Sequence, residues 1–147
     1  MPAYNIVKGA WKCAVVNPSL ILDPLQVAVA ANRAVVSEKQ NTMVTRTVYA
    51  EILYNLSLTK NITQSLSKFG IAKETDLLVC FLKTPHLDCS EEIIPKIEGD
   101  LCSLNELCNI SDLDKIKNVY KLYDIKDDCS LLDIIVSKMV TKNFIAH

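Results

Sequence analysis

The stretch Asp23-Pro-Leu-Gln-Val-Ala-Val-Ala-Ala-Asn-Arg-Ala-Val-Val36 decides how the rest of the chain is read. An aspartate accepts hydrogen bonds from the free N–H groups of a helix's first turn. Proline suits the first helical position, where its missing N–H costs nothing. A helix is predicted from there to the polar run Ser37-Glu-Lys-Gln-Asn41. Leu25, Ala28, Val29, Asn32 and Val36 share one stripe of it, but Val27, Ala30, Ala31, Ala34 and Val35 occupy much of the remaining circumference. A helix that is apolar nearly all round needs cover on more than one side. One reading is a central helix buried by its own domain. The other is that a partner protein supplies part of the cover.

Working outward, residues 45–57 predict a second helix, with Val48, Ile52, Leu53 and Leu56 at helical spacing. Residues 61–70 predict a short third helix, with Thr63 as N-cap and Gly70 as a left-handed stop. Asp76-Leu-Leu-Val-Cys-Phe-Leu82 is an apolar run of strand length and reads as a central strand. Ile6-Val7 and Ala14-Val15-Val16 read as shorter strand pieces. Further helices are predicted at 91–94, 104–107 and 111–122. A final one runs from Ser130, where Ser-Leu-Leu-Asp has capping-box spacing, to about Lys142. On it Leu132, Ile135, Val136 and Met139 form one stripe. The expected fold is a single α+β domain over residues 1–147, with several helices packed on a small mixed or antiparallel sheet.

Composition narrows the function. Half of the 147 residues are hydrophobic and 22% are charged, which favours a packed core over disorder. The three glycines (Gly9, Gly70, Gly99) are too scattered for a phosphate-cradling loop. Two histidines (His86, His147) leave no material for a histidine-rich metal centre. The six cysteines form no CxxC pair and read as reduced thiols. No membrane span or leader is expected, so the sequons at Asn55, Asn61 and Asn109 carry no glycosylation reading. Asp127-Asp128 and Glu91-Glu92 are adjacent pairs whose side chains diverge, Cys80 lies within an apolar run, and neither Cys102 nor Cys108 has a histidine close by in sequence. His86, beside Pro85, reads as a surface histidine. No catalytic constellation, cofactor or metal is expected. Charge is uneven: residues 1–73 hold eight Lys/Arg against three Asp/Glu, and residues 74–147 hold eight against fourteen. The basic half offers Arg33, Lys39, Arg46 and Lys68 for contact with phosphates, although Arg46 also suits a buried ion pair.

The blocks Asn17-Pro-Ser-Leu-Ile-Leu-Asp-Pro-Leu-Gln-Val-Ala-Val-Ala-Ala-Asn-Arg-Ala-Val35, Thr45-Arg-Thr-Val-Tyr-Ala-Glu-Ile-Leu-Tyr-Asn-Leu-Ser57 and Asn61-Ile-Thr-Gln-Ser-Leu-Ser-Lys-Phe-Gly-Ile71, followed by Lys117-Asn-Val-Tyr-Lys-Leu122 and Leu131-Leu-Asp-Ile-Ile-Val-Ser-Lys-Met139, closely resemble the PRPK-binding protein (TPRKB) family. Members are small non-catalytic subunits of the EKC/KEOPS complex. The resemblance covers about residues 17–142, and residues 1–16 diverge from the family's opening strands and helix. It implies an adaptor, not an enzyme, that binds the atypical kinase/ATPase PRPK and helps bind tRNA during threonylcarbamoyladenosine formation, in cytoplasm and nucleus. It places the kinase contact on Leu132, Ile135, Val136 and Met139, with help from the 24–36 helix. A charge at Ile135 is then expected to break binding without unfolding. The alternative is a truncated or diverged copy acting as a general protein- or RNA-binding module.

Overall fold

Asp23 and Pro24 start helix α1 (Pro24–Gln40) in the computed structural model, which describes residues 13–71, 76–82, 102–122 and 131–142. The Asp23 carboxylate accepts from the Leu25 N–H at 2.9 Å. Gln26 completes the cap by accepting from the N–H groups of Leu22 at 2.6 Å and Asp23 at 3.2 Å. The sequence carries this capping box as a glutamine three residues after the aspartate, a signal beyond Asp23 and Pro24 themselves. Asn41 ends the helix in the left-handed region at φ 57°.

Helix α1 packs on α2 (Val48–Leu56) through small side chains. Ala30, Ala31 and Ala34 are buried, and the Asn55 carboxamide reaches across to donate to the Ala30 carbonyl at 3.1 Å. Val48, Ile52 and Leu56 recur every four residues and line the inner face of α2. The helix begins at Val48 and not at 45 because Thr47 is its cap, accepting from the Ala50 N–H at 3.1 Å.

Two expectations for α3 (Ile62–Phe69) are corrected. Its cap is Asn61, whose side chain accepts from the Gln64 N–H at 3.1 Å, and Thr63 lies inside the helix. Gly70 has φ −82°, so its role is not a left-handed stop. A Cβ there would lie 2.5 Å from the Leu66 carbonyl oxygen, so only glycine allows the chain to close on the helix end. Gly70→Ala is therefore expected to cost about 1–3 kcal/mol, because a backbone group has to move. A urea unfolding curve measures this.

The sheet is a short antiparallel pair, β1 (Ala14–Val16) and β2 (Leu78–Cys80), in the register Ala14↔Cys80, Val15↔Val79 and Val16↔Leu78. Period-two alternation explains the unbroken apolar run. Leu78, Cys80 and Leu82 pack with Ala14 and Val16 on the main core, whereas Leu77, Val79 and Phe81 pack with Cys13 and Val15 in a second cluster. The central position expected for β2 is not seen among the described residues, where the sheet has two strands.

Beyond β2, a 3₁₀ turn (Leu104–Glu106) leads into α4 (Leu107–Ile110), α5 (Leu113–Val119) and α6 (Leu131–Val140). Asp112 caps α5 by accepting from the Lys115 N–H at 3.2 Å. The helix expected over 111–122 is shorter because Lys121 turns left-handed at φ 58°. The Phe69 and Tyr120 rings, 5.9 Å apart and tilted by 58°, join α3 to the end of α5. The whole is a single α+β domain. The pieces predicted at Ile6-Val7, 91–94 and Ser130, together with His86 and the Asp127-Asp128 and Glu91-Glu92 pairs, lie outside the described residues.

Candidate functional site

Helix α6 turns Leu131, Ile135 and Met139 into the core, at 1%, 0% and 2% exposure. Of the four residues singled out on this helix, Ile135 and Met139 are thus internal, while Leu132 and Val136 are half-buried on its flank. Val140 continues that flank by one turn, and Asp133 and Ser137 face solvent. A charge at Ile135 therefore probes the fold and not the surface, whereas Val136 is only half-buried.

Two lysines four residues apart fasten α6 to its neighbours. Lys138 Nζ donates to the carbonyls of Tyr120 at 2.9 Å and Lys121 at 3.3 Å, at the C-terminal end of α5. Lys142 Nζ donates to the Tyr54 carbonyl at 2.6 Å, in the last turn of α2. Cations suit helix C-termini, where carbonyls lack partners and the dipole is negative. Lys142 also lies 3.4 Å from the centroid of the Tyr54 ring.

Lys142 is only 3% exposed. Burial drives its pKa down to about 8; the Glu51 carboxylate opposes this shift and the Lys60 ammonium adds to it. The folded chain thus releases this proton at lower pH than the unfolded chain. Between about pH 8 and about pH 10 the unfolded state binds more protons, so this group makes stability rise with pH. The slope approaches about 1.4 kcal/mol per pH unit. The raised Cys80, Tyr54 and Tyr120 groups act oppositely above their ordinary values. Comparison with Lys142→Met cancels them. The wild-type urea midpoint is expected to climb relative to that variant across the window, and parallel curves would refute the assignment.

On α1 the outward stripe is the one the sequence singled out. Leu25 and Val36 are 48% and 43% exposed, Ala28 and Asn32 are exposed, and Val29 is half-buried. The opposite face, Val27, Ala30, Ala31 and Ala34, is the one that enters the core. Val44, in the loop between α1 and α2, is 51% exposed.

Between α1 and α2 runs a groove of about 390 Å³. Its walls carry Asn32, Arg33, Val36 and Gln40 from α1 and Tyr54 and Asn55 from α2, with Val44 at its lip. Glu51 lies at its base, only 2% exposed. Both Glu51 oxygens accept from the Val44 N–H at 3.1 Å, and one also takes the Thr45 N–H at 2.9 Å and the Thr45 hydroxyl at 2.7 Å. This carboxylate is thereby committed to holding the loop.

The four basic candidates do not converge on one element. Arg33 is half-buried in the groove wall, and Lys39 is exposed near the end of α1. Arg46 is exposed in the following loop and not buried as an ion-pair partner, and Lys68 is exposed on α3. Cys80 is half-buried and its thiol is pushed up by burial, as suits a packing residue. Among the described residues no three His, Cys, Asp or Glu side chains are grouped to hold a metal, and no helix is long and apolar enough to cross a membrane.

These features define a small α+β protein with apolar helix surface left outside its core. The model of the family "Kinase binding protein CGI-121" matches residues 4–143, reaching into the segment before Asn17, and the chain belongs to this family. It is 36% identical to the EKC/KEOPS complex subunit TPRKB of Danio rerio over 141 residues, 93% of this chain and 80% of that protein. It is 34% identical to the EKC/KEOPS complex subunit cgi121 of Aspergillus fumigatus over 119 residues, 76% of this chain. A Debaryomyces hansenii subunit of the same name is 27% identical over 124 residues. The match spans 63% of each fungal protein's length.

Proposed function

We propose that this chain is a non-catalytic adaptor of an EKC/KEOPS complex, holding the atypical kinase/ATPase PRPK for tRNA threonylcarbamoyladenosine formation in cytoplasm and nucleus. The observation that carries the reading is the match to a kinase-binding family over residues 4–143. The outward stripe of α1 and the Leu132–Val136 flank of α6 supply apolar surface of the kind partners cover. On this reading Ile135 and Met139 act from inside, setting the pitch of α6, while Leu132 and Val136 touch the kinase. The exposed Lys39, Arg46 and Lys68 add salt-dependent contacts to tRNA phosphates.

Size-exclusion chromatography with light scattering tests the reading, using this chain alone and with purified PRPK. A 1:1 complex is expected. Val136→Asp is expected to weaken it by about tenfold or more while leaving the urea midpoint within about 1 kcal/mol of wild type. A wild-type chain that elutes as a compact monomer and ignores PRPK would overturn the adaptor assignment.

A further inference from the structure

We infer that the outward face of α1 pairs, antiparallel and about Asn32, with the same face of a second copy of this chain, in a weak dimer that the kinase displaces. Asn32 is the midpoint of the helix Pro24–Gln40. Its side chain is exposed, and the ridge it occupies runs evenly to both ends. Val29 and Val35 lie three residues from it, Ala28 and Val36 four, and Leu25 and Lys39 seven. Residues at these spacings share one face of a helix. Leu25, Ala28, Val36 and Lys39 are exposed, and Val29 and Val35 are half-buried at the margin of the core. The ridge is thus apolar except at its centre and at one end. A two-fold axis through Asn32 sets each residue against the one equally far along the second helix, so the contact is closed and self-matching.

The pairs so formed are complementary in size and charge. Small Ala28 meets Val36, which is 43% exposed, and Val29 meets Val35. Leu25, 48% exposed, meets the aliphatic stem of Lys39. The Lys39 ammonium then reaches Asp23 of the second copy, a half-buried carboxylate at the start of α1. On the axis two carboxamides face each other. Each donates and accepts, so they join through two hydrogen bonds. A single polar residue in an apolar seam fixes register at a cost in stability. Parallel pairing fits worse, because it sets Lys39 against Lys39, leaves a gap between two Ala28 side chains and aligns the helix dipoles. The kinase's use of this face rests on the adaptor reading above. Both occupants need the same stripe, so they exclude each other. The 17 residues of α1 span about 25 Å. One pair of such helices covers less than the ~1,200 Å² of stable complexes, so the expected Kd is on the order of 100 μM.

The test is sedimentation equilibrium of the full chain, without kinase, at concentrations up to about ten times that Kd. A reversible monomer–dimer equilibrium is expected. Asn32→Asp and Asn32→Lys each put like charges on the axis and are expected to weaken the dimer by about tenfold or more. Their equimolar mixture is expected to dimerise at least as tightly as wild type, a recovery that requires residue 32 to face itself. Asn32 is exposed, so both variants should keep the wild-type circular dichroism spectrum and urea midpoint. Direction is read from Ala28→Lys mixed with Val36→Glu, whose new charges meet only in the antiparallel arrangement. A wild-type chain that stays monomeric throughout, a dimer indifferent to both Asn32 variants, or a mixture that does not recover would each overturn the pairing. Excess PRPK is then added to the dimer. A 1:1 complex free of dimer is expected, and a 2:2 assembly would overturn the exclusion. Because the dimer is measured without kinase, a chain that dimerises as described but ignores PRPK overturns the adaptor reading and leaves the self-pairing standing.

Discussion

Ile135→Glu is expected to unfold the chain. Ile135 is fully buried on α6, between Leu131 and Met139 in the main core. A carboxylate there either loses its hydration or drags α6 out of place. Lys138 on the same helix and Lys142 just past its end are occupied by carbonyls. The cost exceeds about 4 kcal/mol, a large share of what a domain of this size has to lose. Urea denaturation followed by far-UV circular dichroism should show little or no folded baseline at 25 °C. Val136→Asp, one residue on, should retain a normal transition. If both variants unfold alike, α6 is buried on both sides and its flank is no docking surface. If both fold normally, the packing of α6 described above is wrong.

The second large effect falls on Tyr120. Its ring is fully buried against Phe69, and its hydroxyl donates to the Leu56 carbonyl at 2.7 Å while accepting from the Gln26 carboxamide at 3.2 Å. One phenol thus ties the end of α5 to the end of α2 and to the start of α1. Burial holds its pKa far above the ordinary phenol value, so it stays protonated as a donor. Tyr120→Phe keeps the ring and removes the oxygen. The Gln26 N–H and the Leu56 carbonyl both lose this buried partner, at about 1–3 kcal/mol each. The expected loss is about 2–4 kcal/mol in urea, with an unchanged slope. A loss below about 0.5 kcal/mol would mean that water replaces the hydroxyl. Tyr120→Leu should cost more, since it adds a cavity to the lost bonds.

What the sequence revealed follows the range of the interactions involved. The start of α1 was legible because Asp23 and Pro24 act within one turn. The inner residues of α2 were legible because Val48, Ile52 and Leu56 repeat every four residues. The capping of α3 by Asn61 was misassigned to Thr63, because asparagine and threonine are both competent caps only two residues apart and local chemistry does not separate them. The outward face of α1 could not be chosen from its pattern, since apolar residues surround it. It is the small size of Ala30, Ala31 and Ala34 that lets α2 approach and turns Leu25 and Val36 outward. Contacts such as Gln26 to Tyr120 and Lys142 to Tyr54 join residues 94 and 88 positions apart and leave no local signal. For the same reason the stripe on α6 mixed core with flank: Leu132 and Met139 are neighbours on the wheel, and only packing decides which of them faces in.

The two lysine straps of α6 also bear on the order in which the molecule is made. Lys138 and Lys142 follow α5 and α2 in the chain, yet they bond carbonyls at the ends of those helices. During translation those helix ends, and the core slot for Ile135, stay open until residues 131–142 have cleared the ribosomal tunnel. Without residues 131–142 those carbonyls and that slot lack the partners they have in the folded chain.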